Sequence, residues 1–202
     1  MRYENILQAI GKTPMIRLEK FRADSGMNVF VKLEGNNPGG SIKDRAALYM
    51  IEQAERRGDL KKGKVILEAT SGNMGISLAM IGAIKGYEVR IVMSSAMTEE
   101  RKTMLRALGA GLILTDGKLG TRGAIERAME LFEESPGACW FADQFNNPDN
   151  IGAHYNGISS EILDEVADID YLVAGTGTSG TIVGIAERFR DDSPETKIIC
   201  VV

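Results

Sequence analysis

The sequence predicts an α/β fold, with a mostly parallel sheet covered by helices on both faces. Three observations lead there. Apolar strand-like runs alternate with helix-like segments from Val65 onward, the rhythm of parallel βα units. The chain holds 23 glycines and only 5 prolines in 202 residues, against about 14 glycines at the usual ~7%. That excess means tight turns and close backbone approach rather than a flexible linker. Finally, hydrophobic residues make up 44% and charged residues 26%, ordinary values for a globular chain and unlike a disordered or fibrous one.

The elements follow in order. Met15 to Leu18 and Asn28 to Glu34 are predicted strands, and Ser41 to Arg57 a helix whose stripe is Ala47, Met50, Ile51 and Ala54. Val65 to Ala69 is a strand; Thr70-Ser71-Gly72-Asn73 then turns into an apolar helix ending near Lys85, stopped by Gly86. Glu88 to Met93 is the next strand. Thr98 is placed to cap a helix through Leu108, with Glu99 and Glu100 at its positive end and Gly109 just past its close. Leu112 to Thr115 is a short strand, and Thr121 to Glu134 a helix with Ala124, Ala128 and Leu131 on one face. Cys139 to Ala142, a helix around Ala153 to Val166, a strand at Tyr171 to Ala174 and a helix from Thr181 to Arg190 follow. Lys197 to Val202 is a last apolar strand with no helix after it, so further elements are expected beyond it.

Several functions are excluded early. With 24 basic and 28 acidic residues the net charge is −4, so no basic field exists to hold nucleic acid or an anionic membrane. The N-terminus leads into no apolar signal segment. The longest apolar stretch, Ile76 to Ile84, is interrupted by Ser77 and Gly82 and is too short to span a bilayer. Cys139 and Cys200 each lie in an apolar run and read as buried thiols. With His154 the single histidine, a zinc site is not expected. His154 itself reads as a packing or capping residue at a helix start. A cytoplasmic protein without metal is the expectation.

Ligands of α/β sheets sit beyond the carboxyl ends of strands, and three strand-to-helix junctions are unusual. Gly35 to Lys43 is Gly-rich and ends in a lysine in the first helical turn, where the dipole disfavours a cation. Lys43 is either a surface lysine or an amine pushed toward neutrality, as Schiff-base chemistry needs. Ser41 stands where a P-loop requires lysine. At Thr70-Ser71-Gly72-Asn73-Met74-Gly75, small hydroxyls and free N–H groups suit a carboxylate, and ordinary capping explains them equally well. Gly175-Thr176-Gly177-Thr178-Ser179-Gly180-Thr181 fits a phosphate cradle better than a plain tight turn. A dinucleotide would also need an acid about 20 residues on, and Ile198 to Val202 supplies none.

Taken together, Asn37-Pro38-Gly39-Gly40-Ser41-Ile42-Lys43-Asp44-Arg45, Thr70-Ser71-Gly72-Asn73, Asp143 to Asn150, Ala153-His154-Tyr155 and the Gly177–Thr181 loop resemble the cysteine synthase (O-acetylserine sulfhydrylase) family, particularly its B-type form. The resemblance runs from Ile10 to the end of the chain. It implies a fold-type-II architecture like tryptophan synthase β, with pyridoxal 5'-phosphate as cofactor. A smaller domain would span 36–147, and an incomplete larger one would combine 1–35 with 148–202. By the same resemblance, Lys43 would carry the cofactor as an aldimine and move the Cα proton. Asn73 would meet the phenolic oxygen, and Gly177, Thr178, Ser179, Gly180 and Thr181 would hold the phosphate. Thr70, Ser71 and Gln144 would grip the substrate carboxylate.

The implied reaction is β-replacement, in which an activated serine and sulfide give cysteine through an aminoacrylate, in a homodimer acting on small molecules. Three departures from the family pattern stand out. Met74 replaces a threonine beside the Asn, removing a hydroxyl near the carboxylate. Gly157-Ile158-Ser159-Ser160-Glu161 replaces a threonine-rich stretch ending in Gly-Pro-Glu. The chain also stops before the hydroxyl residue that faces the pyridine nitrogen, so poor stability and little turnover are expected of the 202-residue form. Rival readings are a dinucleotide-binding protein using Gly175–Gly180 and a non-catalytic relative that binds the cofactor.

Overall fold

The computed structural model describes residues 2–20, 26–135 and 137–202. A short antiparallel pair opens the chain, β1 (Met15–Arg17) with β2 (Phe30–Lys32). Helix α1 (Lys43–Arg57) follows a Gly39-Gly40 turn in which Gly40 takes φ +80°, a left-handed backbone that favours glycine. Next come β3 (Val65–Ala69), α2 (Asn73–Lys85), β4 (Glu88–Ser94), α3 (Glu99–Ala107), β5 (Gly111–Thr115), α4 (Gly120–Glu134) and β6 (Cys139–Phe141). Their strands form one parallel sheet in the order β5-β4-β3-β6. Its two faces bury separate clusters. Ile66, Met74, Leu78 and Ile91 pack with Met50 and Ile51 of α1, and Leu67 and Val92 pack against Ala124 and Ala128 of α4. Burial on both sides is the arrangement that βα alternation predicts.

The remaining elements are α5 (Pro148–Asn156), α6 (Ile158–Glu165), β7 (Tyr171–Gly175), α7 (Gly180–Asp192) and β8 (Lys197–Val201). Strands β7 and β8 form a parallel pair. Helix α5 packs against both α1 and α7 and so joins the two sheet regions. An ionic cluster ties the N-terminal segment to the helices. Arg45 of α1 bonds Glu34 and Glu161 of α6, while Lys32 bonds Glu161 and Glu165. Glu161 therefore has a structural role within the divergent Gly157–Glu161 stretch. Burial would raise its carboxyl, but the Arg45 bonds win and hold it at about 2.

Three expectations are corrected. The helix expected around Ala153 to Val166 is two helices. Gly157 lies between them at φ −101°, ψ −94°, and a Cβ there would come within 2.6 Å of the Ala153 carbonyl. His154 sits in the last turn of α5 rather than at a helix start, because the helix begins earlier at Pro148, with Asn147 capping Asp149 N–H. It is fully buried. Cys139 is buried as expected, but Cys200 is exposed. By strand alternation Cys200 shares the face of Ile198, yet it lies nearer the carboxyl end of β8, where no described residue covers it. Among the described residues, no helix is long and apolar enough to cross a membrane.

Candidate functional site

The site forms where the carboxyl ends of β3, β6 and β7 meet the start of α1. Lys43 is the first residue of α1, and its backbone N–H donates to Ser41 Oγ (3.2 Å). Asp44, fully buried beside it, accepts from Gly39 N–H and from Ser77 Oγ of α2, each at 2.5 Å. The Asn73 carbonyl, 3.0 Å from Ser77 Oγ, shares that single hydroxyl proton. These bonds fix the glycine turn, the Lys43 helix start and the Asn73 helix start relative to one another. Burial raises the Asp44 carboxyl above its ordinary range.

Lys43 Nζ donates to Thr178 Oγ1 at 3.3 Å. Two residues 135 positions apart in sequence are thus face to face. Burial pulls the Lys43 amine below its ordinary range, with nearby Glu68 opposing the shift. The expectation of a lowered pKa holds in direction, though burial rather than the helix dipole is its main cause.

The phosphate-type loop leaves β7 and enters α7 at Gly180. Ser179, the residue before the helix, takes φ 65° and makes no side-chain capping bond, so the first-turn N–H groups lack a protein acceptor of that kind. Thr178 Oγ1 also accepts from Asn150 Nδ2 (2.9 Å), which in turn donates to the Gln144 carbonyl (2.8 Å). Asn150 is 2% exposed, and its Oδ1 has no partner. Gly180 lies directly on it, since a Cβ there would meet the Asn150 amide at 2.6 Å. Thr181 Oγ1 lies 3.2 Å from His154 Nε2. Burial first, then Lys43 and Arg45, lower His154 to about 4, so the ring is neutral at pH 7.

The third junction is less uniform. Thr70 is buried, and its Oγ1 accepts from Gly72 N–H (3.2 Å), while Ser71 is half-buried with its carbonyl held by Arg101 (2.8 Å). Asn73 is exposed at the start of α2, whose N-cap Gly72 has no side-chain cap. Met74 turns its side chain into the apolar cluster with α1, so the methionine offers this junction only its backbone. Gln144 is buried, with its amide donating to Glu68 (3.3 Å).

Glu68, Asp44 and Asn150 carry much of this geometry and had no assigned role in the sequence reading. One signal was available: Glu68 is the single charged residue in Val65-Ile66-Leu67-Glu68-Ala69, a strand in which every residue is buried. Burial raises its carboxyl to about 8, with Asp143 adding to the shift and two Gln144 bonds only partly offsetting it.

Comparison with known proteins decides the family. The model of the family described as "Pyridoxal-phosphate dependent enzyme" matches residues 6–202. The chain belongs to that family. Among curated relatives, it is 47% identical over 193 residues to cysteine synthase B of Escherichia coli, covering 95% of this chain and 63% of that protein. It is 44% identical over 202 residues to a cysteine synthase of a Flavobacterium species, covering 100% of this chain and 65% of that one. The solved cysteine synthase of Entamoeba histolytica superposes with a TM-score of 0.94 at 42% identity, covering 99% of this chain and 60% of that one. O-ureido-L-serine synthase superposes at 0.93 and 41%, covering 99% and 63%. The chain therefore spans somewhat less than two thirds of the relatives it matches. The fold is the one these solved enzymes share, and the dinucleotide reading is not favoured.

The residues present fit the family's cofactor. An uncapped helix start at Gly180 and open space around Gly177 adjoin Thr178, whose hydroxyl meets the amine of the half-buried Lys43. They provide anion donors and an amine within one cluster.

Proposed function

We propose that the chain serves β-replacement on an activated serine such as O-acetylserine, acetate leaving Cβ and sulfide taking its place to give cysteine. One observation carries the reading: the amine of Lys43, displaced toward its neutral form by burial, faces Thr178 of the phosphate-type loop. Lys43 would hold the cofactor covalently, and Gly177, Thr178, Ser179, Gly180 and Thr181 would hold its phosphate through N–H and hydroxyl donors. When bound, pyridoxal 5'-phosphate supplies the sink for the electron pair left at Cα.

The chain's own residues would supply the rest. The Lys43 amine accepts the Cα proton and returns it, a role that favours a pKa brought down toward neutrality. Thr70, Ser71 and Gln144 bind and orient the substrate carboxylate, and Asn73 meets the cofactor's phenolic oxygen. Holding the Cα–H bond in one orientation is itself a large part of the rate. In this reading the partners are small molecules, the location is cytoplasmic, and residues 36–147 and 1–35 with 148–202 are the two domains. The test is turnover with O-acetylserine and sulfide after cofactor loading. Cysteine formation, small in the 202-residue form, that is lost altogether in Lys43→Ala is the expected result, and equal turnover by parent and variant contradicts the reading.

A further inference from the structure

Glu68 is 1% exposed, and both its carboxyl oxygens are engaged by one residue. Gln144 donates its backbone N–H to Oε2 and its side-chain Nε2–H to Oε1, each at 3.3 Å. Such a two-point grip fixes the amide of a side chain that would otherwise rotate freely. Asn150 completes the hold by donating to the Gln144 carbonyl. An amide nitrogen carries two N–H groups, so one remains for a ligand. Thr70 belongs to the same grouping. Its N–H bonds the Val92 carbonyl (3.1 Å) and continues the β3–β4 ladder, and strand alternation puts it on the same face as Glu68.

We propose that Glu68, as a neutral carboxyl group, is a positioning residue for Gln144, leaving the second N–H of the amide to the substrate's carboxylate, and that its ionisation weakens carboxylate binding. This rests on the reading of Gln144 given under Proposed function. A negative charge buried behind the amide would repel an incoming carboxylate in a poorly screened interior. A neutral acid keeps an acceptor for the amide without that repulsion. The charged groups that face Glu68 are Lys43 of α1 and Asp143 of the loop after β6. Its strand neighbours on the same face, Ile66 and Ile91, are apolar. Burial sets the ionisation at about 8, Asp143 reinforces the neutral form, and the Lys43 amine, when charged, opposes it. Glu68 is therefore mostly neutral at pH 7 and mostly ionised at pH 9.

The probe is propionate, a carboxylate with no amine of its own to titrate, added to the cofactor-loaded protein and followed by calorimetry. If only the neutral form supports binding, affinity falls about tenfold between pH 7 and pH 9. Glu68→Gln keeps one carbonyl acceptor for Gln144 Nε2 but cannot ionise. It is expected to bind within a few-fold of the parent's pH 7 affinity and to lose most of the pH dependence. Glu68→Leu, which leaves the amide unheld, should bind weakly at both pH values while retaining cofactor. A parent affinity that is flat across this range overturns the proposal. So does a Glu68→Gln variant with the parent's slope, which a merely structural role for Glu68 would give. Absence of propionate binding by the parent at every pH contradicts the carboxylate-site reading itself and removes this inference with it. Should Glu68→Leu fail to fold, the slopes of the parent and Glu68→Gln still decide.

Discussion

Strands β3 and β7 both run into candidate anion loops, but their surroundings differ. The first is interior to its sheet, paired with β4 and β6, and buried along its whole length. The second has β8 as its one neighbour among the described residues and exposes Tyr171, Val173 and Gly175. The Thr70–Asn73 loop is therefore held by the sheet it leaves. The Gly177–Thr181 loop is held from behind by side chains: Asn150 on Thr178, Asn150 against Gly180, and His154 beside Thr181. The same βα rhythm thus positions one loop by its strand and the other by a neighbouring helix.

The strongest challenge to this contrast compares one deletion in each region. Ile91, fully buried in β4 opposite Glu68, should lose about 2–5 kcal/mol on truncation to Ala. Val173→Ala, on the exposed face of β7, should stay within about 0.5 kcal/mol. Urea unfolding measures both, and equal losses would erase the distinction.

A smaller and more local effect is expected at Asn150. Removing its amide frees Thr178 and opens the space against Gly180, at a cost of about 1–3 kcal/mol for a buried partner left unpaired. Asn150→Ala should therefore weaken pyridoxal 5'-phosphate binding by roughly tenfold or more, measured by equilibrium dialysis. Its urea midpoint should move less than that of Ile91→Ala. A large unfolding shift with unchanged cofactor affinity would mean that Asn150 supports the core and not the loop.

The gentlest effect is on pH dependence, where the two regions pull in opposite directions. His154 of α5 is depressed to about 4 and Glu161 of α6 to about 2. In both cases the unfolded chain binds protons first, at about 6.5 and about 4.5. Stability is thus lost as pH falls from about 6.5 to 4 through His154 and from about 4.5 to 2 through Glu161. Glu68 of β3 is raised to about 8, so its contribution is full below about 4.5 and is lost as pH rises to about 8. Urea midpoints across pH should fall on both sides of a maximum. Glu68→Gln should flatten the alkaline side alone, whereas an unchanged alkaline limb would show that Glu68 does not ionise in the folded protein.

Much of this organisation was legible beforehand because it is local. Val65–Ala69 and Asn73–Lys85 end where apolar run, glycine stop and turn chemistry place their limits. Lys43 stands in the first turn of its helix as the Gly39-Gly40 turn requires. What escaped depends on partners distant in sequence. Asn150 gains its role from Thr178 and Gly180, and Glu68 from Gln144, 76 positions away. In sequence Met74 is marked only by the hydroxyl it lacks, but its burial is decided by α1 packing over the start of α2. The apolar neighbours of Cys200 in sequence point to burial, but its exposure depends on what covers the sheet.

The central claim is that Lys43, facing the β7–α7 loop, is the residue that binds the cofactor covalently. The direct measurement is borohydride reduction of the cofactor-treated protein, followed by digestion and mass mapping of every lysine. The account predicts a pyridoxyl mass increment on Lys43 alone, lost in Lys43→Ala. A stable increment on Lys32, Lys85 or any other lysine, with Lys43 unmodified, would contradict it.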